Sequence, residues 1–180
     1  PPAALIEPLA VQLRKDDLHV ASVVRTILGS QLFFSPHAVG RKIRSPVELG
    51  IGLMRALQSR GNMNDLSQRL AELGQRVFYP PNVKGWDGGR TWINSSTLIG
   101  RANVVRQIVN GADLASLPGR AGAKSPGQIV DWALELLVAV PVPNEARELL
   151  ITLAKRKQDD QARIADVLCA LGTLPEFQLN

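Results

Sequence analysis

The sequence predicts an all-α protein, an irregular multi-helix bundle of about seven to nine helices with one long ordered Pro/Gly/Trp loop. Three observations lead there. Nearly every apolar segment repeats with a helical period of about 3.6 residues. Capping residues and prolines stand in front of those segments as start signals. No stretch alternates apolar and polar residues as a half-buried strand would. The chain has 180 residues, 45% of them apolar and 21% charged, which is enough for one sizeable core. No apolar run approaches the roughly 20 residues of a membrane-spanning helix.

The elements follow in order. Leu5, Leu9, Val11 and Leu13 predict a short first helix, with Pro8 tolerable only in its first turn or at a break. Asp17 is expected to cap a second helix carrying Leu18, Val20, Val23, Val24, Ile27 and Leu28. Ser45-Pro46-Val47-Glu48 is the clearest start signal, a capping box with proline at the first helical position. Val47, Ile51, Leu53, Met54 and Leu57 then form an apolar face. Asn64 is expected to cap the next helix, with Leu66, Leu70 and Leu73 inside and Gly74 as its stop. A helix capped by Ser95 or Ser96 should bury Leu98, Ile99, Ala102, Val105 and Ile108. Ser125-Pro126-Gly127-Gln128 repeats the capping logic before Ile129, Trp132, Ala133, Leu136 and Leu137. Pro143 opens a helix using Ala146, Leu149, Leu150 and Leu153, and Asp159 or Asp160 caps a last one with Ile164, Val167, Leu168 and Leu171. The expected organisation is a helical core over 1–112 with a motif loop at 78–94, a Gly/Pro-rich linker at 113–127, and C-terminal helices over 128–180 packing on the same core.

Composition removes much chemistry. One cysteine, Cys169, and two histidines, His19 and His37, cannot by themselves supply the four ligands of a structural zinc site. Cys169 lies on an apolar helix face and reads as a small buried hydrophobe. No dinucleotide fingerprint or phosphate loop is present. No catalytic residue, metal or cofactor is therefore assigned, and whether the protein is an enzyme stays open. The net charge is +5, with fourteen basic and seven acidic side chains in residues 1–110. Arg41, Lys42 and Arg44 form the densest basic spot there and are the candidate polyanion-binding residues. A net charge of this size is also an ordinary solubility device, which disfavours nucleic acid as the partner.

One segment stands apart. Four of the eight aromatic residues lie between Phe78 and Trp92, among two prolines and three glycines. A long ordered loop carries an entropic cost, so something must hold it. Either Trp86 and Trp92 plug the helices, making the loop a structural clasp, or the loop is a recognition surface. In the second case Lys84, Trp86, Asp87, Arg90 and Trp92 are the candidate ligand-binding residues for a saccharide or peptide.

Five runs carry a resemblance. Ile43-Arg44-Ser45-Pro46-Val47-Glu48-Leu49, Leu73-Gly74-Gln75-Arg76-Val77-Phe78, Pro80-Pro81-Asn82-Val83-Lys84-Gly85-Trp86, Trp92-Ile93-Asn94-Ser95-Ser96-Thr97-Leu98 and Leu174-Pro175-Glu176-Phe177-Gln178 resemble the bacterial DUF1800 family over roughly residues 25–178. The Asn-Val-Lys-Gly-Trp-Asp-Gly-Gly-Arg spelling is similar to planctomycete-type members. Members are longer and many are exported, so the resemblance implies the C-terminal portion of a larger exported protein and offers no catalytic residues. A chain opening Pro1-Pro2-Ala3-Ala4 reads as a processed or excised piece. Its expected partners are then a missing N-terminal portion or a second copy, and either predicts an exposed apolar patch. The leading expectation is a binding or assembly domain of a larger protein. The alternatives are part of a hydrolase acting on polysaccharide or peptide, and a polyanion-binding module.

Overall fold

The computed structural model describes residues 2–117 and 122–180. Four positions of the expected linker, 118–121, lie outside the described residues. Eight α-helices and two short 3-10 turns make up the regular structure among the described residues, with no strand. The backbone divides into two compact units, Pro1–Val39 and Gly40–Asn180.

The first unit is a pair of helices, α1 (Ala3–Lys15) and α2 (Val20–Leu28), followed by turns. Pro8 sits inside α1, past the first turn and without a break in the helix, against both expected placements. The helix runs through at the loss of one hydrogen bond, because proline has no N–H to give back to the preceding turn. Asp17 does not cap α2. Asp17 and Leu18 instead take left-handed backbone, at φ 49° and 59°, and the Leu18 N–H donates to the Leu13 carbonyl to close α1. Helix α2 therefore starts two residues later than the Leu18 end of its predicted face. The Ser22 hydroxyl donates to Asp16 and the Thr26 hydroxyl to Gln12, which ties the two helices together. Neither helix has a buried residue, and Leu5, Ile6, Val11, Val24 and Ile27 are all exposed.

The second unit contains α3 (Pro46–Ala56), α4 (Met63–Glu72), α5 (Ser95–Asn110), α6 (Pro126–Leu137), α7 (Asn144–Lys155) and α8 (Asp160–Leu171). Helix α3 packs on α4, α5 and α6; α5 packs on α4 and α8; α6, α7 and α8 pack on one another. Their shared core runs from Leu49 and Leu53 through Val105, Ile108 and Val130 to Val167, Leu171 and Phe177. The capping boxes of Ser45 with Glu48 and of Ser125 with Gln128 form as expected, and Asp159 caps α8. Two caps differ from expectation. Asn62 caps α4 by accepting from the Asn64 N–H, so Asn64 is already inside the helix. Asn94 caps α5 in a reciprocal pair with Thr97, ahead of Ser95 and Ser96.

The buried face of α5 also differs. Val105 and Ile108 are buried as expected, but Leu98 and Ile99 are exposed, and Arg101, Val104 and Val109 join the buried face. The shift has a physical cause: Arg101 lies inward, where its guanidinium meets polar groups from two other segments. Counting only apolar side chains placed the stripe on the wrong side of the first two turns.

Candidate functional site

Residues 74–94 leave α4 and enter α5 around one buried ring. Trp92 closes a short 3-10 turn, Gly89–Trp92, and is only 7% exposed. Gly74 and Gly88 both have positive φ, and a Cβ built on either would lie 3.7 Å from the indole. Glycine at these two positions lets the backbone turn left-handed directly against the ring. Asn94 then starts α5 two residues beyond the anchor.

Outward of that anchor the loop is held by its own polar groups. The Tyr79 N–H donates to the Arg76 carbonyl, and the Arg76 guanidinium lies 4.2 Å from the Tyr79 ring centroid. The Asn82 side chain accepts from the Lys84 N–H and its carbonyl from the Gly85 N–H, closing a tight turn with Val83 and Lys84 at its tip. Lys84 and Asp87 form an exposed ion pair at 3.4 Å. Such a pair adds little stability, but it neutralises the one carboxylate of the loop.

The five residues singled out from the sequence occupy different environments. Trp92 is buried, Trp86 is half-buried, and Lys84, Asp87 and Arg90 are exposed. The most exposed apolar side chains of the loop belong to residues outside those five. Phe78 is 90% exposed, Tyr79 64%, and Val83 fully so. Phe78 also has φ 65°, a strained conformation for a residue with a bulky side chain. A usable signal existed: an aromatic directly before Tyr-Pro-Pro, beyond the glycine stop of α4, has no helix left to bury it.

Of the basic spot, Arg44 is drawn into the fold while Arg41 and Lys42 stay exposed. Lys42 pairs with Glu48. The Arg44 guanidinium donates to the carbonyls of Leu179 and Leu137, each at 3.0 Å, and to the Asn180 side chain. It also lies over the Phe177 ring, and burial lowers its pKa, with Glu48 opposing. Arg41 is exposed. Residues 42–44 meet the chain end in an antiparallel bridge between Ile43 and Leu179, so the runs 43–49 and 174–178 are spatial neighbours. Among the described residues no group of three or more His, Cys, Asp or Glu side chains comes together to hold a metal ion. No helix among them is long and apolar enough to cross a membrane. Cys169 is half-buried, and burial raises its thiol pKa. A hollow of about 320 Å³ lined by Leu57, Arg60, Asp113 and Ser116 has no loop residue in its lining, nor has one of about 350 Å³ beside Arg69, Asn103 and Arg106.

Comparison with known proteins gives a family match. A family described as "Protein of unknown function (DUF1800)" matches residues 1–179, so the likeness extends through the first two helices. No curated protein matches, and no solved structure matches.

Proposed function

The chain belongs to the DUF1800 family, a membership that assigns no activity, and we propose from the site geometry that unit 40–180 is a binding module with the loop 78–93 as its recognition element. The observation that carries this reading is the contrast within one loop. Trp92 is buried as an anchor, while Phe78 is held 90% exposed on left-handed backbone. Backbone strain of order 1–3 kcal/mol persists only where the surroundings impose it. Exposed apolar side chains on a stiffened loop suit partner contact, because little ordering entropy remains to be lost on binding. Pro80, Pro81 and the Asn82 turn supply that stiffness, on the anchor that Trp92 provides. In this reading Phe78, Tyr79 and Val83 make the apolar contact. Lys84, Trp86, Asp87 and Arg90 form its polar rim, and Trp92 holds the loop to the helices.

A photoreactive benzoylphenylalanine at position 83, compared with one at Leu149 on α7, tests the reading in cells producing the chain. Leu149 is 71% exposed and serves as an apolar control far from the loop in sequence. Adducts are expected at position 83 and not at 149. Equal yields at the two positions, or none at 83, would refute it.

A further inference from the structure

We infer that the surface met by this loop is an anionic lipid–water interface, into which Phe78, Tyr79 and Val83 insert while Arg76, Lys84 and Arg90 contact the headgroups. The inference rests on the reading of the loop as a recognition element.

Four features favour lipid over a protein partner. The first is charge: residues 76–92 contain three cations and one carboxylate, and Lys84 already pairs with that carboxylate. Cations beside inserted side chains are attracted to anionic headgroups. The second is side-chain type. Tyr79 and the half-buried Trp86 carry an apolar ring with a polar edge, the chemistry enriched at the boundary between headgroups and acyl chains. The third is the backbone at the tip. Entering an apolar phase is costly for an unpaired N–H. Pro80 and Pro81 have none, and those of Tyr79, Lys84 and Gly85 already donate within the loop, which leaves the N–H groups of Phe78, Asn82 and Val83 to headgroup oxygens. The fourth is extent. Phe78, Tyr79 and Val83 are the loop's exposed large apolar side chains, a small set beside the roughly 20–30 residues a side that a stable protein interface engages. Shallow insertion by a few side chains suits a partner that is itself fluid and binds through apolar burial plus charge.

The 180-residue chain is mixed with sedimentable vesicles of phosphatidylcholine alone, or of phosphatidylcholine with about 30% phosphatidylglycerol. Binding is expected on the anionic vesicles at low salt, at least tenfold above neutral vesicles, and it should fall as salt screens the headgroups. Phe78→Ser/Val83→Ser and Lys84→Glu/Arg90→Glu should each reduce it fivefold or more. All four side chains are exposed, so both variants keep the fold. Absence of binding to anionic vesicles, or binding that survives both variants, overturns the inference. The crosslinker at position 83 separates the two levels of the argument. Lipid adducts support both. Polypeptide adducts alone overturn the lipid assignment and leave the recognition loop standing, and no adduct overturns both.

Discussion

The Arg101 guanidinium donates through Nη1 to the Gln178 side-chain oxygen at 3.0 Å, fully inside the second unit. Nη2 donates to the Arg44 carbonyl, and Nε is buried without a partner. Gln178 in turn donates to the Gly172 carbonyl. The cluster joins the entry to α3, the first half of α5 and the chain end. Among the described residues no carboxylate forms an ion pair with Arg101. Burial pushes its pKa down to about 10, which still leaves it ionised at neutral pH.

A buried charge held only by neutral acceptors makes the two obvious substitutions unequal. Arg101→Lys keeps the desolvated charge but lacks the fork that reaches both Gln178 and Arg44, and should cost about 3 kcal/mol. Arg101→Met leaves two acceptors unpaired but removes the charge, and should cost about 1–2 kcal/mol. Denaturant midpoints at constant m-value measure both, and a lysine variant as stable as the methionine variant would contradict the account.

Gly172 closes α8 at a point where there is no room for a methyl group. A Cβ there would sit 2.5 Å from one Val105 methyl and 2.9 Å from the other, and Val105 is completely buried. Gly172→Ala should therefore destabilise by about 1–3 kcal/mol, although alanine favours helix. Val105→Ala alone should cost about 2 kcal/mol through its cavity. Combined, the two should cost clearly less than their sum, because each relieves the other. Strict additivity in thermal or chemical unfolding would show that α5 and α8 do not meet as described.

Legibility in the sequence varied with how local the determining contact is. The α3 start was readable because its cap lies within four residues. Pro46 has no N–H, the Glu48 N–H donates to the Ser45 hydroxyl, and the Leu49 N–H to the Ser45 carbonyl. The remaining donor, Val47 N–H, goes to the Gln75 side chain from beyond α4, which no local rule could supply. Likewise Asp17 looked like a cap because its type fits, and the left-handed turn ending α1 overrode it. Arg101 was invisible for the same reason: its partners are 57 and 77 residues away. At the loop, composition marked the right segment. It did not separate the tryptophan that anchors from the phenylalanine and valine that project.

Acid should weaken the second unit through two carboxylates. Arg147 grips Asp131 with a fork, Nε to Oδ1 at 2.7 Å and Nη2 to Oδ2 at 2.9 Å, tying α7 to α6. That hydrogen bonding lowers the Asp131 pKa. For Glu48 burial acts upward, but hydrogen bonds from Lys42 and the Ser45 N–H outweigh it and the pKa is also lowered. A folded pKa below the unfolded one means the contribution is complete above the ordinary carboxylate values of about 4. It is lost as pH falls through the lowered folded values. Melting temperature followed from pH 7 downward should drop in that window. Asp131→Asn should start lower at neutral pH and show a shallower acid limb. An unchanged limb would assign the acid sensitivity elsewhere.

The loop's shape should depend on Trp92 and hardly at all on Trp86. Removing the buried indole leaves Gly74 and Gly88 facing a void, so Trp92→Ala should cost about 3–5 kcal/mol. The local effect should be larger than the global one, because the strained Phe78 backbone and the Asn82 turn are then tethered only by weak exposed contacts. Trypsin reports this directly, since Lys84 and Arg90 lie in the loop: cleavage there should accelerate at least tenfold in Trp92→Ala at temperatures where helicity is retained. Trp92→Phe should lie between it and the parent chain. Trp86→Ala, from a half-buried position, should change cleavage little. If Trp86→Ala exposes the loop to trypsin and Trp92→Ala does not, the anchor has been misidentified, and the rigidity on which the recognition reading depends comes from elsewhere.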